Sequence, residues 1–181
     1  MIIEQSKEQM HDAIALHTRA SIGCVRLAQA RTWSQPSIPR RDTGSCAFDI
    51  DFKPGAFRRE GDHLTIDTDF KFTLMSGEQE SQPLFLIECQ FEAQYALAEG
   101  FDPSEQQIQA FQSANAVFNC WPFFREFVQN TATRMNFPPP PVPFLRIVRK
   151  PELTPETDMT SSEARQTRTR VVRVVRRRNR Q

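Results

Sequence analysis

Between Ile22 and Tyr95 the chain alternates apolar and polar side chains in four separate stretches, and after Asp102 the period lengthens to that of a helix. Cys46 to Lys53 alternates most cleanly: Phe48, Ile50 and Phe52 share one face, Asp49, Asp51 and Lys53 the other. Leu64 to Leu74 repeats the pattern, with Leu64, Ile66, Phe70, Phe72 and Leu74 inward and Thr65, Asp67, Asp69, Lys71 and Thr73 outward. Leu84 to Tyr95 sets Phe85, Ile87, Cys89, Phe91, Ala93 and Tyr95 against Leu86, Glu88, Gln90 and Glu92. Ile22 to Trp33 alternates loosely and ends before a loop marked by Pro36 and Pro39. One apolar face and one wet face predict antiparallel strands. Connections through Pro54-Gly55 with Gly61, and through Gly77, make an antiparallel meander the economical topology.

A helix, or a pair of helices, is expected from Asp102-Pro103-Ser104 to about Met135, with Asp102 or Ser104 as cap. Within it Val117, Cys120, Trp121, Phe123, Phe124, Phe127, Val128 and Thr131 cover about half the circumference, wider than the ~100° stripe that packing on one sheet requires. The excess would forgo roughly 1.5 to 3 kcal/mol of burial per large side chain, so a second surface, another subunit, is expected to cover it. Pro122 removes a bond to Phe118, which predicts a kink or a restart at that point.

The helix runs into Phe137, four prolines and a second apolar cluster at Val142, Phe144 and Leu145. Backbone so rich in proline cannot enter a sheet interior, so these side chains are candidates for apolar surface that another chain can reach. At the other end, Ile3, Met10, Ile14 and His17 suggest a modest amphipathic helix that is too sparse to stand alone; a docking arm and a frayed start are both open. Past Ile147 little is expected to fold, and 154–170 has the composition of disorder. The chain thus divides into an amphipathic segment (1–20), one α+β domain (21–150) and a disordered tail rich in Pro and Arg (151–181).

Composition sharpens this. There are 15 Phe against one Tyr and two Trp, which favours apolar contact over polar recognition. The net charge of +1 hides a split: eight Arg and no acid lie from Arg165 onward, leaving 15 basic and 22 acidic residues before it. The tail reads as a solvated extension or as a contact for nucleic acid or an acidic membrane. The outward acids Asp49, Asp51, Asp67 and Asp69 read as a solvated sheet face, with docking of a basic partner as the alternative, rather than a catalytic or metal site. Cys24, Cys46, Cys89 and Cys120 have no paired spacing, and His11, His17 and His63 do not complete a metal site with them, so free thiols in a reducing cytoplasm are expected. No secretory leader or membrane span is legible. With only six Gly and no phosphate loop, nucleophile elbow or spaced ligands, neither an enzyme nor a metal or other cofactor is expected.

The order of three short motifs, Phe85-Leu86-Ile87-Glu88, then FNCWPFFRE from Phe118 to Glu126, then NFPPPPVPF from Asn136 to Phe144, resembles the SecB family of cytosolic chaperones. The resemblance covers roughly Ala20 to Ile147. It implies a four-stranded antiparallel sheet backed by a long C-terminal helix, a proline-rich crossover loop, a dimer of dimers, and ATP-independent holding of unfolded polypeptides, preproteins or an antitoxin, in apolar grooves. Trp121, Phe123, Phe124, Phe137, Val142, Phe144 and Leu145 are the implied client-binding residues. Leu86 and Glu88 match part of the acidic surface on which the partner ATPase SecA docks, whereas Ala30 and Ser34 stand where the first strand normally supplies acids. Pro151, Pro155 and the Arg-rich end replace the usual second long helix and acidic or SecA-binding tail, which is similar to SecB-like proteins that accompany toxin-antitoxin systems. The rival reading is a nucleic-acid or ribosome-associated adaptor acting through the Arg tail.

Overall fold

The computed structural model describes residues 1–35, 46–76 and 83–151. The 154–170 stretch and the Arg tail lie outside them. Four strands, β2 (Ala20–Ser34), β3 (Cys46–Glu60), β4 (His63–Ser76) and β5 (Pro83–Leu97), form an antiparallel sheet in the order β2-β5-β4-β3. Register fixes the faces: Phe52 lies opposite Phe70, Phe70 opposite Cys89, and Leu27 opposite Phe91, so the alternation seen in each stretch becomes one continuous inner face. All four strands outrun their sequence patterns.

For β3 the reason is local. Pro54 and Gly55 do not end the strand but form a bulge, after which Phe57 returns to the inner face opposite Ile66. Only glycine fits there, because a Cβ on Gly55 would lie 2.9 Å from Asp67 Cβ. The chain turns at Gly61, whose φ is +59°, and Glu60 faces His63.

Helix backs this face. Ser104 caps α2 (Glu105–Phe111) through a capping box with Gln107, and α2 passes through a π-type turn (Gln112–Ala116) into α3 (Val117–Arg134). No restart marks Pro122, one of the two outcomes the sequence predicted; α3 is continuous through it. Phe118 and Pro122 both sit on the solvent side, where the carbonyl deprived of its partner can be hydrated. Phe72, Phe85, Phe111, Phe124 and Tyr95 fill the space between helix and sheet.

The two ends of the described chain join. β1 (Ile2–Gln5) pairs in parallel with β6 (Arg146–Arg149), so ordered structure continues past Ile147 where little was expected. A second capping box, Ser6 with Gln9, starts α1 (Lys7–His17), which packs on α2. The buried Gln5 side chain donates to the Ala110 carbonyl at 2.9 Å, and Gln106 donates to Asp12. The first twenty residues therefore pack on the domain, burying Ile3, Gln5, Ala13 and Leu16 and leaving Ile2 and Ile14 exposed. Their apolar pattern is sparse because backbone pairing and one buried amide hold them.

Candidate functional site

Where α3 crosses the inner face, an aromatic cluster forms. Phe70 stacks on Phe124 with centroids 4.5 Å apart and meets Phe91 and Trp121 at 6.0 and 6.1 Å. Trp121 in turn meets Phe52 edge-on at 6.3 Å. The segment 137–145 then closes over the flank of the helix. Asn136, with φ +66°, ends the helical run, and the Phe137 N–H donates to the Ala132 carbonyl. Phe137 stacks on Phe85 at 5.5 Å.

The four successive prolines carry no N–H for a sheet ladder, and the loop is held by side chains of α3 and by the Met1 amino group, which donates to the Phe144 carbonyl at 2.9 Å. Trp121 Nε1 donates to the Pro143 carbonyl at 3.0 Å, and Arg125 Nε donates to the Val142 carbonyl at 3.1 Å. The Arg125 guanidinium also lies over the Phe144 ring at 4.5 Å. This double role of Arg125 was not legible in the sequence, where its only signal was membership of the FNCWPFFRE motif.

The seven residues named from the sequence fall into different places. Trp121, Phe124, Val142 and Leu145 are buried by the chain itself. Phe137 is half-buried against Phe85, whereas Phe144 is 75% exposed. Phe123 is exposed but belongs to another surface. Two residues from Arg125, it lies about 160° away around the helix. Phe127, one turn further along, meets Phe91 at 6.3 Å, and Phe91 lies opposite Leu27 of β2. Phe123 and Phe127 therefore face β2, on the opposite flank from the loop.

There the inner face of β2 is bare. Every residue from Ser21 to Trp33 except Val25 is exposed, including Ile22 and Leu27.

The outer face of the sheet is only partly the open acidic surface that alternation suggested: Asp49 and Asp51 are exposed, Asp69 is half-buried and Asp67 is buried. Asp67 is 6% exposed because Arg58 spans it and Glu92, at 3.0 and 2.8 Å. Arg26 grips Glu92 through two bonds, of 2.7 and 3.0 Å. The Arg26 hydrogen bonds, with help from Gln94, hold the Glu92 carboxyl down at about 2 against the opposing effect of burial. Gln29, Gln90 and Asp69 form a hydrogen-bonded row that Lys53 completes at 3.6 Å. Leu86 lies between Trp33 and Thr73, and Glu88 between Arg31 and Lys71, whose Nζ is 3.4 Å from it. Cross-strand cations pair Asp67, Asp69, Glu88 and Glu92, while Asp49 and Asp51 on β3 stay exposed; alternation shows which side chains share a face but not which cations stand opposite them.

Burial pushes the Cys89 and Cys120 thiols up to about 12, so neither is a nucleophile near neutral pH. No helix among the described residues is long and apolar enough to cross a membrane.

No protein-family model matches the chain, and neither does any curated protein. Solved structures do match. One is the SecB-like chaperone of Mycobacterium tuberculosis in complex with a ChAD peptide from the HigA1 antitoxin, at TM-score 0.67 and 20% identity, covering 76% of this chain and 99% of that one. This chain has a SecB-like fold. Another is a Streptococcus agalactiae protein of unknown function, at TM-score 0.36 and 11% identity, covering 69% of this chain and 97% of that one.

Proposed function

We propose that this chain is an ATP-independent holdase that keeps unfolded or aggregation-prone polypeptides in solution on apolar surface its own fold leaves bare. One observation carries this reading: Phe144 stands 75% exposed on a loop that two hydrogen bonds from α3 hold in place. A Phe side chain left in water forgoes roughly 1.5 to 3 kcal/mol of burial. Being pinned, it also offers that surface to a partner with little ordering cost. Phe137 and Phe144 form the accessible part of the client surface, with Trp121, Phe124, Val142 and Leu145 as the floor that supports it. The antitoxin peptide bound by the mycobacterial neighbour supports an antitoxin as one class of client, beside preproteins.

The chain works as a homo-oligomer, assembled as a dimer of dimers, and Phe123 serves there rather than in the groove. Bare Ile22, Leu27 and Phe123 support this. Neutralisation of Glu88 by Lys71 weakens the attraction of the outer face for a basic partner, so a SecA-type ATPase is the less favoured contact.

The test is a Phe137→Ser, Phe144→Ser double variant of the full chain, assayed for suppression of aggregation of a chemically denatured protein. Retained folding with weakened suppression is expected. Full suppression by a folded variant would remove the loop from the reading.

A further inference from the structure

Among the described residues both edges of the four-stranded sheet are open, and they lack different things. Along β2 both a neighbouring strand and a covering layer are missing, since Ile22 and Leu27 are bare on the inner face. A folded body with a layer of its own, such as a second copy, suits that edge.

Along β3 only the strand is missing. Phe48 and Ile50 are already buried, with Phe48 stacked on Phe72 at 5.8 Å, and Phe52 is half-buried against Phe70 and Trp121. Yet, apart from the β4 ladder, no backbone hydrogen bond from a described element reaches residues 46–53. Alternate N–H and C=O groups on an edge strand point away from its one neighbour and remain available for pairing. A body carrying its own layer finds no uncovered apolar face beside them; a bare extended segment needs none.

The far end of the edge is blocked. Pro54 has no N–H, the bulge before Phe57 breaks the register, and Gln112 already occupies the Gly55 carbonyl at 2.8 Å. The usable stretch is therefore Ala47 to Lys53. On its outer face Asp49 and Asp51 are exposed and make no ion pair among the described residues, whereas Lys53 is turned toward Asp69. A strand laid alongside would sit roughly 4.8 Å away, with every second side chain over these acids and the others toward Phe52.

We propose that Ala47–Lys53 of β3 takes an extended segment of an unfolded polypeptide as a fifth strand, preferring basic residues at the positions facing Asp49 and Asp51 and apolar residues between them. This rests on the holding function proposed above. Main-chain pairing would give that function affinity without sequence selectivity, and the two acids would bias it toward basic clients.

The experiment is amide hydrogen exchange on the full chain with a short peptide alternating Val and Lys, a copy carrying Glu for Lys, and a Val/Lys copy N-methylated at alternate residues. The same preparation is assayed for suppression of aggregation. Edge-facing amides of 47–53 should exchange fast in the free protein, slow at least tenfold with the Val/Lys peptide, and stay fast with the N-methylated one. The Asp49→Lys, Asp51→Lys variant should weaken the Val/Lys peptide roughly tenfold and favour the Glu peptide. Suppression with unchanged 47–53 amides would overturn the fifth strand while leaving the holdase standing. Amides already slow before peptide is added would mean that a second copy or this chain's own segments occupy the edge, which also overturns it. Failure to hold either peptide or denatured protein would sink both proposals.

Discussion

The indole N–H of Trp121 donates to the Pro143 carbonyl at 3.0 Å, so a residue of the buried helix face fixes the backbone of the loop that exposes Phe144. Trp121→Phe keeps most of the packing and removes the donor. It should cost about 1 to 3 kcal/mol, because the carbonyl loses its partner. Amides of 137–145 should then exchange faster than those of α3, with urea unfolding giving the stability change.

Phe144 and Leu145 are neighbours in sequence with opposite fates. Phe144→Ser should change stability by less than about 0.5 kcal/mol apart from any loss of its contact with Arg125, yet weaken aggregation suppression. Leu145→Ala, in the core, should cost about 2 to 5 kcal/mol in urea unfolding.

Glu92 gives the fold a defined acid sensitivity. Its folded value is held down at about 2, whereas an unperturbed glutamate titrates near 4.3. Above the unfolded value the carboxylate is charged in both states and the stabilisation from Arg26 is fully present. As pH falls toward 2 the unfolded chain takes up the proton first, and the stabilisation is lost. Glu92→Gln should lower stability at neutral pH and flatten its decline between about pH 4.5 and 2, as followed by urea midpoints across that range.

Leu27 and Phe123 lie on the bare side of the sheet and helix. A Leu27→Asp, Phe123→Ser double variant should stay folded and move toward the protomer, because charge on a desolvated contact costs several kcal/mol while charge in water costs little. Light scattering at several concentrations reads the change. An unchanged mass would place the self-association surface elsewhere.

Much of the sheet was legible because alternation is a local property. Phe48, Ile50 and Phe52, then Phe70 and Phe72, then Phe85 and Ile87 declare their face in sequence, and all but the half-buried Phe52 are buried. Turn chemistry was less faithful. Pro54-Gly55 reads as an end, yet the close approach of Asp67 makes it a bulge inside a longer strand. Pro122 reads as a break, yet its position on the solvent side of α3 lets the helix continue.

By itself, then, the amino-acid sequence determined which residues share a face, that one helix carries more aromatic surface than one sheet can cover, and that the proline run must leave the sheet. All three are properties of near neighbours and their spacing. Only the tertiary structure decided that β1 pairs with β6, that Asp67 is buried under Arg58, and that Phe123 and Phe144 lie on opposite flanks of one helix. Each of these depends on contacts between segments far apart in the chain, and local spacing carries no record of which distant partner stands opposite.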